Sequence, residues 1–154
     1  MTPDIEALPD DSLLPRDLKK SLPMALLRAR EAVMHQFRPI LNARDISEQQ
    51  WRVLRILAEG GPLDATEVAE RACLLAPSLT RIMRTLDERK LITRDRDTGD
   101  GRRIRLAISA AGISMIREVA PASRDVMLNI ESRFGKERVQ SLLDMLSELA
   151  LLKR

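Results

Sequence analysis

The sequence predicts a mostly α chain with a small β-wing: a winged helix-turn-helix set between N- and C-terminal dimerisation helices. Three features predict it. From Asp64 to Ser109 the chain reads as short helices, the last with a polar outer face, followed by a two-stranded hairpin tipped with arginines. That order suits a module that places one helix in a DNA major groove. Residues 71–105 hold ten Arg/Lys against five Asp/Glu, whereas the whole chain nets only +3 from 26 basic and 23 acidic residues. Charge confined to one module is a DNA footprint rather than a solubilising coat. Long amphipathic helices flank the module, more than its own core needs, and are expected to pair with those of a second subunit.

The elements follow in order. Residues 1–20, with Pro3, Pro9, Pro15 and the acids Asp4, Glu6, Asp10 and Asp11, read as a flexible or loosely docked arm. A long helix is expected over 23–42, because Leu22, Leu26, Val33, Phe37, Ile40 and Leu41 recur at helical spacing. Pro23 suits its first turn, and Pro39 should kink it or mark its last turn. Ser47 with Gln50 is a capping box opening a second helix, with Leu54 and Leu57 on its core face and an end at Gly60-Gly61-Pro62. Asp64 with Glu67 is another capping box, starting a helix over 65–72.

Pro77 belongs in the first turn of the next helix, which runs to Lys90 with Leu79, Ile82, Met83 and Leu86 inward. Asp97-Thr98-Gly99-Asp100-Gly101 reads as a hairpin tip between strands 92–96 and 103–108. The second strand alternates Ile104, Leu106 and Ile108 inward with Arg105 outward. Ser109 caps a fifth helix to about Arg133, and Gly135 separates it from a sixth over 136–152. The sixth carries a stripe of Val139, Leu142, Leu143, Leu146, Leu149 and Ala150. The expected domains are an arm (1–20), a helical dimerisation region (21–45 with 110–154) and a DNA-binding winged helix (46–109).

Composition excludes several classes. At 154 residues, 44% hydrophobic and 32% charged, the chain is globular and about one domain long. Its aromatics are Phe37, Trp51 and Phe134, too few for base-stacking platforms, so duplex DNA is favoured over RNA or single strands. No apolar run approaches the roughly 18 residues of a membrane span, and no basic start leads into an apolar block, so a cytoplasmic protein off the membrane is expected. Cys73 is the only cysteine, which excludes an intramolecular disulfide; it reads as a partly buried thiol in the turn, with a redox sensor as the alternative. His35 and Cys73 lie too far apart in sequence to make a metal-ligand cluster. No nucleophile–base pair or glycine-rich phosphate loop appears, so neither an enzyme nor a cofactor is expected.

On the helix from Pro77, the stripe opposite the apolar face carries Ser78, Arg81, Arg84, Thr85 and Glu88. Small hydroxyls allow close approach to phosphates or bases, and arginine can bridge guanine with two hydrogen bonds. Thr66, Pro77 and Thr80 complete the candidate DNA-facing set on the two helices. On the wing, Arg102 and Arg103 are placed to enter a minor groove. Arg94, Arg96 and Arg105 read as phosphate contacts or as partners of the neighbouring aspartates. Asp100 would pair with a nearby arginine and aim it.

The wing pattern Asp97-x-x-Asp100-x-Arg102, followed by Arg103-Ile104-Arg105-Leu106 and the hydroxyl cap Ser109, resembles the signature of the MarR family of transcription factors, over residues 21–152 of this chain. Where that signature ends Leu-Thr, this chain has Ile108-Ser109, which keeps the cap. The stretches Met24 to Glu31, Phe37-Arg38-Pro39-Ile40, Glu48 to Arg52, Arg71 to Leu75 and Pro77 to Thr80 resemble the subgroup that regulates homoprotocatechuate (4-hydroxyphenylacetate) catabolism. The resemblance implies a homodimer reading a pseudo-palindromic operator. It also implies a repressor released by a small aromatic acid or phenol bound between dimer interface and DNA module.

Arg30 falls within the first helix's apolar stripe, where a charge costs several kcal/mol unless paired. It reads either as an ion pair across a dimer or as a guanidinium for a ligand carboxylate. Trp51 and Arg55, one turn apart, offer an aromatic wall and a second cation, or a surface cation–π contact. Arg28 and His35 lie opposite the stripe, His35 solvated or at a domain junction. Met34 and Met115 are pocket-lining or core. With Met24, these residues form the candidate ligand set. Two alternatives stand beside this reading: an oxidation-sensing repressor using Cys73, and a DNA-binding protein without a ligand.

Overall fold

The computed structural model describes residues 1–96, 99 and 103–153. Six helices and three strands follow in order: α1 (Leu22–Asn42), α2 (Glu48–Gly60), β1 (Leu63–Asp64), α3 (Ala65–Ala72), α4 (Ala76–Glu88), β2 (Ile92–Arg96), β3 (Ile104–Ile108), α5 (Ala110–Phe134) and α6 (Lys136–Ala150). The chain forms two compact units, Met1–Pro39 and Ile40–Arg154. The boundary falls inside α1 at Pro39, which has no N–H to continue the helical ladder, yet the helix runs on to Asn42.

In the first unit the arm's acids serve as local caps. Asp11 accepts the N–H groups of Leu13 and Leu14 at 2.8 Å, and Asp17 accepts that of Lys19 at 3.0 Å. The Arg16 N–H reaches Asp10 at 2.9 Å and holds its carboxyl below the usual range. On α1, Leu22, Leu26, Leu27 and Val33 are exposed. Arg30 is exposed with them, 3.7 Å from Glu31. Leu26 and Val33 of the same stripe are each 38% exposed, whereas Leu41 at its far end is buried in the core.

The second unit owns the core. Val53, Leu54 and Leu57 of α2, Val68 and Ala72 of α3, and Leu79, Ile82, Met83 and Leu86 of α4 converge on it with Ile92, Leu106 and Val119. Leu54, Leu57 and Leu86 are fully buried as their spacing predicts, each burial giving roughly 1.5–3 kcal/mol. The antiparallel sheet has the order β1-β3-β2. Its first strand was not expected; two residues are too short to show alternation, and Leu63 and Asp64 pair only because Leu106 and Arg105 lie beside them.

The caps of α2 and α5 form as expected. Ser47 and Gln50 make the reciprocal capping box at 3.1 Å each way, and Ser109 accepts the Gly112 N–H at 3.1 Å while donating to the Lys90 carbonyl at 2.6 Å. The box at α3 does not form. Asp64 sits at the N-cap, but its side chain makes no cap hydrogen bond; its carboxylate is turned to Arg103, 3.7 Å away. On α6, Leu142, Leu143 and Leu146 of the predicted stripe remain exposed, with Met145 beside them, while Val139 and Leu149 are half-buried.

Candidate nucleic-acid interface

Helices α3 and α4 pack together across a three-residue turn in which Cys73 takes the left-handed conformation (φ 54°), its N–H bonding back to Ala69 and Glu70. Cys73 is exposed, not partly buried as expected: it lies in the turn beyond the last residue of α3, outside the packed faces of the two helices. The native protein should therefore react with Ellman's reagent at the rate of an unshielded thiol; a thiol that reacts only after denaturation would contradict this placement.

The α4 helix has no side-chain N-cap, but Pro77 in its first turn removes one unsatisfied donor. With Leu79, Ile82, Met83 and Leu86 inward, Arg81 and Arg84 are left exposed with no ion-pair partner among the described residues. Thr80 donates its hydroxyl to the Ala76 carbonyl at 3.0 Å, and Thr85 donates to that of Arg81 at 3.2 Å. With those protons committed, both hydroxyls present lone pairs, which suits base amino groups rather than phosphates. This narrows the role expected for them. Ser78 is half-buried at the start of the same helix.

The wing arginines divide. Arg94 Nε donates to Asp87 Oδ2 at 3.0 Å, tying β2 to α4. Arg103 faces Asp64 at 3.7 Å, tying the base of β3 to the start of α3. Arg105 stands in register between Asp64 and Asp95 on the flanking strands and donates to the Pro62 carbonyl at 3.3 Å. These three are therefore engaged within the protein, two of them as carboxylate partners. Arg96 is exposed beside Arg94 in a shallow cleft of ≈ 240 Å³. Thr66 lines a second cleft with Arg103 and Ile104, but Asp64, Glu67 and Glu70 line it too, a field that opposes a phosphate. Arg102, Asp97 and Asp100 lie outside the described residues.

Several residues that brace the module were not legible in the sequence. Arg89, at the end of α4, donates to the Asp45 carbonyl at 2.5 Å and the Arg44 carbonyl at 3.2 Å. Arg44 pairs with Glu118 of α5. Arg52 donates to the Ala72 carbonyl at 2.6 Å. No local pattern marks such residues, since their acceptors are backbone groups or acids distant in sequence.

The candidate ligand residues are divided between the two units. Met24, Arg28, Arg30, Met34 and His35 belong to α1 in the first; Met24 and Met34 are half-buried, the other three exposed. Trp51 and Met115 pack against the edge of the core in the second unit, and Arg55 is exposed. Among the described residues the cation–π contact is Arg138 over Phe134 at 4.2 Å, not Arg55 over Trp51. Also among the described residues, no helix is long and apolar enough to cross a membrane, and no group of three or more His, Cys, Asp or Glu could hold a metal ion.

Comparison with known proteins adds four findings. Residues 46–104 match the MarR family. The chain is 42% identical over 130 residues to the HTH-type transcriptional regulator FarR of Neisseria gonorrhoeae, covering 84% of this chain and 89% of that one. It is 37% identical over 132 residues to the homoprotocatechuate degradative operon repressor of Escherichia coli, covering 86% and 89%. Among solved structures, NadR in complex with 4-hydroxyphenylacetate superposes with a TM-score of 0.79 at 40% identity, covering 93% of this chain and 98% of that one.

Proposed function

The chain belongs to the MarR family of transcriptional regulators, and from that premise we propose that it is a dimeric repressor released from operator DNA by a small aromatic acid of the 4-hydroxyphenylacetate type. The observation that carries the ligand class is the solved relative, 40% identical, that holds 4-hydroxyphenylacetate; the operon repressor at 37% identity points the same way. In this reading residues 46–109 read the DNA, α4 entering the major groove with Arg81 and Arg84 foremost and the wing lying along the adjacent minor groove. Residues 21–45 and 110–154 join two copies, which would cover the exposed Leu142, Leu143, Met145 and Leu146 of α6.

Arg30 is the residue assigned to the ligand carboxylate, for which a guanidinium provides two parallel donors. Arg28, His35, Trp51, Arg55 and the methionines Met24, Met34 and Met115 complete the proposed ligand set. Release follows if the bound acid holds the two α4 helices at a spacing that no longer matches one turn of DNA. The test is binding to the DNA upstream of the protein's own gene, at fixed salt, with and without 4-hydroxyphenylacetate. Weakened binding with ligand is expected, and Arg30→Ala should reduce the ligand effect about tenfold, the scale of a charge-assisted hydrogen bond, while leaving binding without ligand unchanged. Equal binding with and without every phenolic acid tried would end this reading. The exposure of Cys73 favours one second reading, release by oxidation, which a Cys73→Ser protein that still responds to oxidant would exclude.

A further inference from the structure

Alternation along β2 puts Ile92, Arg94 and Arg96 on one face of the sheet. Ile92 is part of the core, and Arg94 stands opposite the fully buried Leu106. Arg94 thus leaves the core-facing side of the sheet where the strand runs out past the helices, and there it meets Asp87 on α4. Asp87 lies one helical turn beyond Arg84 and two beyond Thr80, on the flank of the helix that faces the wing. Both side chains are partly exposed, 40% for Arg94 and 37% for Asp87, so the pair sits at a rim where ion pairs add little to stability. The contact uses Nε alone. It fixes the plane of the guanidinium and leaves its two terminal nitrogens at the junction between α4 and the wing.

We propose that Asp87 is a positioning residue for DNA binding: it aims the terminal nitrogens of Arg94 at a backbone phosphate between the groove read by α4 and the strand touched by the wing. The inference rests on the docking reading of α4 and the wing given above. Coulomb's law alone predicts the opposite effect of removing Asp87, because a carboxylate near DNA repels phosphates and its removal should tighten binding. The sign of the change therefore separates aiming from simple charge.

The test measures affinity against salt for the unaltered protein, Asp87→Asn, Asp87→Glu, Arg94→Gln and the double variant Asp87→Asn/Arg94→Gln. Two labelled duplexes are used, one from the protein's own upstream region and one of scrambled sequence, since a phosphate contact serves both. Asp87→Asn should weaken binding about tenfold, the scale of a charge-assisted hydrogen bond. It should also flatten the dependence of log affinity on log salt by about 0.9 for each phosphate that the protein no longer neutralises. Asp87→Glu should recover most of both, and the double variant should bind no more weakly than Arg94→Gln alone. Asp87→Asn binding as tightly as the unaltered protein, or more tightly, overturns the proposal. Should Asp87→Asn melt early, Arg94→Gln decides instead: a salt slope equal to that of the unaltered protein overturns the proposal equally. Failure of the unaltered protein to bind either duplex would instead overturn the docking reading itself.

Discussion

Gly112→Ala is expected to cost about 3 kcal/mol, the upper end of the range for overpacking a filled site. A Cβ at this position would lie 2.2 Å from the Leu91 carbonyl oxygen and 2.6 Å from Ile108 Cγ1. The first of these is backbone and cannot step aside. The same short segment is held from two further directions: the Ser109 N–H donates to Leu91 O at 3.1 Å, and the Ser109 hydroxyl donates to Lys90 O. The first turn of α5 is thus seated on the chain between α4 and β2, and only a residue without a side chain fits beneath it. A thermal melt followed by circular dichroism should show the midpoint lowered by about 6–12 °C for a chain of this size. Gly60→Ala is the control. Its Cβ meets Leu63 Cδ1 at 2.9 Å and Arg71 Nη1 at 3.0 Å, the far ends of flexible side chains that can move. Near-equal destabilisation at both positions would show that the α5 seat is not the tight point described.

Arg81→Ala and Arg84→Ala are each expected to weaken binding to the protein's own upstream DNA by roughly 10- to 100-fold, the scale of a bidentate arginine–base pairing. Both side chains project from the face of α4 opposite its core residues, and neither is held by an acid among the described residues. That distinguishes them from Arg94, Arg103 and Arg105, which already have partners within the protein. Removing a base-reading arginine should also relax sequence choice, so the variants should discriminate less between the upstream duplex and a scrambled one. Removing a residue that touches only phosphate would weaken both duplexes alike. If affinity and discrimination both survive the two substitutions, α4 is not the reading helix.

Most of the fold was legible because its signals are local. The inward face of α4 follows from residues three and four apart, and all four predicted positions are buried. The caps at Ser47 and Ser109 reach only three residues ahead, and both form. The same logic failed at Asp64, where a pattern that also spans three residues was overruled by an arginine brought alongside by strand pairing. Arg30 is a different case. A residue can sit on an apolar stripe and still be exposed if nothing in its own chain covers that stripe, and burial by a second copy leaves no mark within one chain.

By itself the sequence determined the order of the six helices and the hairpin, the core faces of α2 and α4 and the concentration of basic charge in the winged module. Each depends on spacing within a few residues or on composition, which the chain carries before it folds. Tertiary structure alone decided the strand at Leu63, the seat under Gly112 and which wing arginines have partners within the protein. It also set the brace of Arg89 on a turn 44 residues away and that of Arg44 on Glu118, 74 residues away. Such contacts follow from which surfaces the packed core brings together, and an ion pair between partners that far apart has no periodicity to announce it.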